Sequence, residues 1–207
     1  MRTRCSNSVL KRTSRCKMEK NVTKLLCVID MQNDFISGSL GTKEAEAIVP
    51  AVVDKIRNWN GRTIATRDTH YDETYLSTQE GHYLPVKHCI HGTRGWEIEP
   101  RVAEALKNSR CIGIVDKEHF AEAPQAQTES RTLADFVQSL KSDEASSLEI
   151  TLIGVCTDIC VVSNALLLKS MFPEDHFTVD SSCCAATTPD NHTSALKILK
   201  SCQIDVI

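Results

Sequence analysis

The sequence predicts an α/β protein: three layers, α/β/α, around a mainly parallel sheet of six strands. Three observations lead there. Short apolar, β-branched runs alternate along the chain with segments of helical periodicity. The runs are apolar throughout rather than at every second residue, as expected of strands buried on both faces. Finally, Asp30, Asp68, Lys117 and Cys160 all fall at or just after the ends of such runs. Open parallel sheets carry their sites beyond those carboxyl ends.

Taken in order, residues 25–30 (LLCVID) form the first strand, and 31–45 a polar, glycine-containing loop. Ala47, Ile48, Ala51, Val52 and Ile56 recur at helical spacing, which predicts an amphipathic helix over 44–59. The second strand is 63–68 (TIATRD), ending in an acid like the first. Residues 69–99 show little periodicity, and loops that long inside compact domains are usually functional. A short helix at 101–108 leads to a third strand at 111–117, followed by a helix over 130–140 and a polar linker at 141–147. The fourth strand, 148–153, runs through Gly154 into a helix that begins near Asp158, with Thr157 or Asp158 suited to cap it. A fifth strand at 177–184, a helix at 189–201 and a last strand at 204–207 complete the chain.

Length and composition fit one domain over 18–207 behind a basic segment at 1–17. That segment is rich in Lys, Arg, Ser and Thr and has no acid before Glu19; it reads as a flexible tail or an organelle transit segment. A formal net charge of -3 gives no reason to expect nucleic acid as a partner. No apolar run approaches the roughly 20 residues of a membrane span. Ten cysteines without framework or zinc-knuckle spacing read as reduced thiols in a cytoplasmic setting.

Two constellations could carry chemistry. Cys160 falls in the first turn of a predicted helix, where free N–H groups and the dipole would lower its pKa and receive an oxyanion. Asp30, desolvated at a strand end, suits the base that takes a thiol proton, and Lys117 would stabilise both charges. The second is Asp68-x-His70 followed by His88. On extended backbone the first two side chains point the same way, so they could share an ion with His88. A carboxylate with two imidazoles suits zinc, with iron or manganese as alternatives, and Glu80 or His82 could add a further ligand.

Five segments taken together carry a family resemblance: 28-VIDMQNDF-35, 68-DTH-70, 85-PVKHCIHGTRGWE-97, 116-DK-117 and 154-GVCTDICV-161. In this order they resemble the isochorismatase-like cysteine hydrolases, a superfamily of nicotinamidases, isochorismatases and carbamoyl-amide hydrolases. The likeness runs from Leu25 to the C-terminus. It implies Asp30 as general base, Lys117 as its charged partner and Cys160 as nucleophile. It also implies a cis peptide between Val155 and Cys156, with the amides of Cys156 and Cys160 as oxyanion hole. Asp68, His70 and His88 match nicotinamidase metal positions, and Phe35 matches a pocket-wall aromatic. Two departures stand out: Thr69 where nicotinamidases usually have an aromatic, and no tryptophan in 83-YLPVKH-88.

The activity implied is hydrolysis of a small linear amide, with nicotinamide, giving nicotinate and ammonia through a thioester, as the leading substrate. Another small amide or ureido compound, isochorismatase-type hydrolysis, or a non-catalytic member keeping the fold are the alternatives. The metal ligands favour the amidase over vinyl-ether chemistry. The family's habit of forming dimers and tetramers implies a homo-oligomer.

Overall fold

The computed structural model describes residues 22–124, 131–141 and 147–207. The predicted basic segment and most of the polar linker lie outside those residues. Six strands form one sheet: β1 Val22–Ile29, β2 Arg62–Asp68, β3 Cys111–Lys117, β4 Ser147–Val155, β5 His176–Ala185 and β6 Asp205–Val206. Their order is β3-β2-β1-β4-β5-β6 and every pairing is parallel. The order reverses between β1 and β4, and at such a switch point the loops diverge and leave a crevice.

The helices are α1 Asn33–Ile36, α2 Lys43–Arg57, α3 Gln79–Tyr83, α4 Pro100–Lys107, α5 Leu133–Leu140, α6 Val162–Met171 and α7 Pro189–Ser201. Their ends are written in the sequence. Thr42 caps α2 by accepting from the Ala45 N–H, and the Glu99 carboxylate accepts from Arg101 and Val102 ahead of α4. Thr132 and Asp135 form a reciprocal capping box on α5. Among the described residues no helix is long and apolar enough to cross a membrane.

Strand β1 shows why the apolar runs are continuous. Leu25, Cys27 and Ile29 pack with α5, α6 and α7, whereas Leu26 and Val28 pack with α2 and α4 on the other face. The strand alternates faces, and both are dry. At the switch point β1 and β4 come so close that a Cβ on Gly154 (φ 119°) would lie 2.1 Å from the Ile29 carbonyl oxygen. Only glycine fits there.

Two sequence expectations need correction. The loops predicted over 31–45 and 69–99 contain α1, a 3-10 turn at Tyr75–Ser77 and α3. Elements this short show no periodicity to read. Nor does Thr157 or Asp158 cap the helix after β4. That helix opens with a π turn, Thr157–Val161, behind Cys156 as N-cap, with no side-chain cap. Thr157 bonds His192, and Asp158 bonds Thr187 and Asn191.

Candidate active site

Asp30 follows β1 directly and is completely buried. Its left-handed backbone (φ 50°) turns the chain sharply out of the strand, a conformation Asp tolerates better than most residues. The Thr66 hydroxyl, from β2, donates to Asp30 Oδ1 at 2.6 Å. The other oxygen, Oδ2, lies 2.8 Å from Lys117 Nζ but receives no well-aligned hydrogen bond. It is therefore an acceptor with capacity in hand.

Lys117 ends β3 and is buried among anions. Its ammonium stands 3.2 Å from Asp68 Oδ1 and 3.6 Å from Cys160 Sγ. Register explains the first contact, since Asp68 and Lys117 are direct partners across β2 and β3. Burial alone would lower the lysine's pKa, but Asp30, Cys160 and Asp68 together hold it well above its ordinary value. Burial raises the Asp30 carboxyl pKa, while Lys117 pulls it down.

Cys160 lies in the π turn after β4 and is buried. The expectation of a lowered pKa fails here. Burial pushes the thiol well above its ordinary value, and Lys117 only partly opposes this. That shift favours the thiol over the thiolate, so a nucleophilic role would call for a neighbouring base. The Val155–Cys156 peptide is cis, as the resemblance implied. The Cys156 carbonyl accepts from the N–H groups of Ile159 and Val161 and passes over the Cys160 N–H between them.

Asp68 joins this group to a second one. Its Oδ2 lies 2.8 Å from His70 Nε2 and 3.5 Å from His88 Nε2, and Glu80 Oε1 lies 3.6 Å from both imidazoles. One donor atom from each of the four falls within 4.8 Å of the others. These side chains fit a divalent cation. His70 Nε2 is buried without a hydrogen bond of acceptable geometry. His88 Nδ1 lies 2.9 Å from the Val86 carbonyl, which places a proton on Nδ1 and turns Nε2 toward Asp68 and Glu80. Burial lowers the pKa of each imidazole, yet the carboxylates of Asp68 and Glu80 raise both to about 9. Asp68 is held far below the carboxylate range against its burial, by Lys117 and then by the two histidines. Glu80, also opposed by burial, is held at about 2 by the histidines. Two carboxylates with two imidazoles, whose Nε2 protons a bound cation would displace, match a cation's needs. His82 is exposed on α3 and takes no part.

A cavity of about 240 Å³ opens over Cys160, with Asp68, Glu80, His88, Phe35 and Cys156 on its wall. The Phe35 and His88 rings on that wall are 5.6 Å apart. Drug-sized ligand sites commonly run to about 300–1,000 Å³, so this cavity suits a small molecule. A larger one, about 560 Å³, lies beyond Glu80, Leu84, Phe120 and Ile159 and reaches neither Asp30 nor Cys160.

Two contributors were not found from the sequence. Buried Gln32 donates to the carbonyls of Asp68 (2.8 Å) and Trp96 (2.9 Å) and accepts from the Asp68 N–H (2.7 Å). It fixes the residue on which both groups depend. Thr66 is the other, and its only signal was a hydroxyl amid an apolar strand.

Fold and site define a doubly wound parallel α/β protein whose switch point gathers a thiol, an acid and an ammonium beside four metal-competent donors. Residues 24–207 match the isochorismatase-domain family model, and the chain belongs to that family. The nicotinamidase of Saccharomyces cerevisiae is 25% identical over 221 residues, covering 89% of this chain and 99% of the yeast protein. Among solved structures, a pyrazinamidase/nicotinamidase from Streptococcus mutans superposes with TM-score 0.72 at 25% identity, covering 89% of this chain and 100% of that one. A Pyrococcus horikoshii pyrazinamidase, solved in complex with zinc, gives 0.66 at 24% identity, with 89% and 98% covered.

Proposed function

We propose that the protein is a cysteine amidohydrolase of a small amide, nicotinamide first, releasing nicotinate and ammonia. The observation that carries this is the contact of Lys117 with both Asp30 and Cys160, the latter of which lines a small cavity. The nicotinamidases and pyrazinamidases similar to the chain support the choice of substrate.

Asp30 takes the Cys160 proton as sulfur attacks the amide carbon, and a C–S bond forms. Lys117 opposes the rise that burial gives the Asp30 carboxyl and sits against the sulfur as negative charge develops. The carbonyl oxygen becomes an oxyanion facing the N–H groups of Cys156 and Cys160. Asp30 then gives its proton to the nitrogen, the C–N bond breaks, and ammonia leaves a thioester. Water, deprotonated by Asp30, attacks the thioester and frees the acid and the thiol. A divalent metal held by Asp68, His70, Glu80 and His88, zinc or else iron or manganese, would supply a Lewis acid to orient a polar ring atom of the substrate.

Ammonia release from nicotinamide, with and without a chelator and beside Cys160→Ala, tests the reading. Release that requires both Cys160 and metal is the expected result. No release, with Cys160 still alkylated rapidly, would move the substrate to other small amides or ureido compounds.

A further inference from the structure

The nucleophile turn runs in an uncommon register. In an α-helix the Cys160 N–H would bond to the Cys156 carbonyl, four residues back. Instead Val161 N–H makes that bond at 3.0 Å, five residues back, and the Cys160 N–H is passed over. Such π turns are rare and need a local cause. No side chain caps this one.

The residues between Cys156 and Cys160 are nevertheless tied down from outside the helix. Asp158 accepts from the Thr187 N–H (3.1 Å), the Thr187 hydroxyl and Asn191 Nδ2 (3.0 Å). The same Asn191 amide donates to Thr187 Oγ1 at 2.8 Å, which closes the network. Beside it, Thr157 Oγ1 meets His192 Nδ1 at 2.9 Å. All these partners come from the β5–α7 connection or the first turns of α7, and Thr187 also borders the cavity over Cys160.

We infer that Asp158 is a positioning residue that holds the nucleophile turn in its π register and so reserves the Cys160 N–H for the oxyanion. Released from Thr187 and Asn191, the turn relaxes to the α register, and the Cys156 carbonyl consumes that N–H. The inference rests on the amide hydrolysis proposed above. It assigns Asp158 no contact with the substrate.

A donor that acts only on the oxyanion affects the transition state and not the bound substrate. Asp158→Ala should therefore lower kcat about 10²-fold, the effect of losing one oxyanion-hole donor, with KM within about twofold. Pyridine-3-carboxaldehyde, whose adduct with the thiol places an oxygen where the oxyanion forms, should lose affinity by a similar factor. Chloroacetamide should alkylate Cys160 at the wild-type rate, because displacement at saturated carbon builds no oxyanion. A crystal structure of the variant should show the Cys160 N–H on the Cys156 carbonyl. Thr187→Val, at an exposed loop position, should move the same quantities in the same direction by less, and decides the matter should Asp158→Ala not fold. A variant that keeps the π register, or that loses alkylation and catalysis in parallel, overturns the inference. A wild-type protein that hydrolyses no amide sinks the reaction instead, and the crystallographic register still decides the role of Asp158 in the turn.

Discussion

The two halves of the site are built differently. Asp30 and Lys117 sit at strand ends and Cys160 one turn beyond another, so the sheet itself places them. Of the four candidate metal donors only Asp68 belongs to a strand; His70 and His88 lie in connections, and Glu80 rides on the five-residue α3. The first group is buried within the core. The second depends on supports such as Gln32, and on Tyr75, whose ring lies 4.8 Å from His70 and 5.2 Å from His88. The proposed thiol chemistry, which needs close placement, is on the sheet, and the candidate ion site is mostly on the loops.

Variants can pull the halves apart. Cys160→Ala should cut turnover about 10⁴-fold or more while metal content, measured by atomic emission, stays unchanged; loss of metal would show that the halves are not separable. Lys117→Met should damage both, because it leaves the buried carboxylates of Asp30 and Asp68 without their cation. Removing one partner of a buried pair costs about 3–5 kcal/mol, so denaturant unfolding should show a loss of that order. Gln32→Met should act on the loop side, weakening metal affinity about 10–100-fold as expected for an outer-shell support. Calorimetric titration would read it, with Cys160 alkylation at its usual rate.

The smallest effect is expected far from the site. Lys55 Nζ pairs with Asp180 Oδ2 at 2.8 Å in a partly exposed setting. The Asp180 pKa is lowered; burial would raise it, but the bonds from Lys55 and Ser182 outweigh this. The stabilisation is therefore present above the unfolded carboxylate pKa of about 3.9 and is lost as pH falls through the lower folded value. Asp180→Asn should cost about 1 kcal/mol at neutral pH, discounted for exposure. Thermal melts of the two proteins should begin to converge as pH falls below about 4. A cost independent of pH would mean that packing, not charge, is lost.

Much of this was legible in the chain. Alternating apolar runs and amphipathic segments announced the layers, and acids, a lysine and a cysteine at the run ends marked the site. The Asp68-x-His70 pair was readable because extended backbone aligns residues two apart. Glu80 was readable only as a choice between it and His82. Which of the two faces inward depends on where a five-residue helix lands, and no periodicity records that.

By itself, then, the sequence determined whatever follows from local geometry and burial. That covers the strands and their dry faces, the caps of α2, α4 and α5, and the end of the strand at which reactive groups collect. Tertiary structure alone decided the rest. The strand order set Asp68 against Lys117 and brought Asp30 within reach of Cys160 from far along the chain. Burial reversed the expected shift of the Cys160 thiol, because desolvation outweighs one ammonium. The π turn arises where residues outside the helix hold the backbone. Each of these is a sum over groups distant in sequence, which local spacing does not encode.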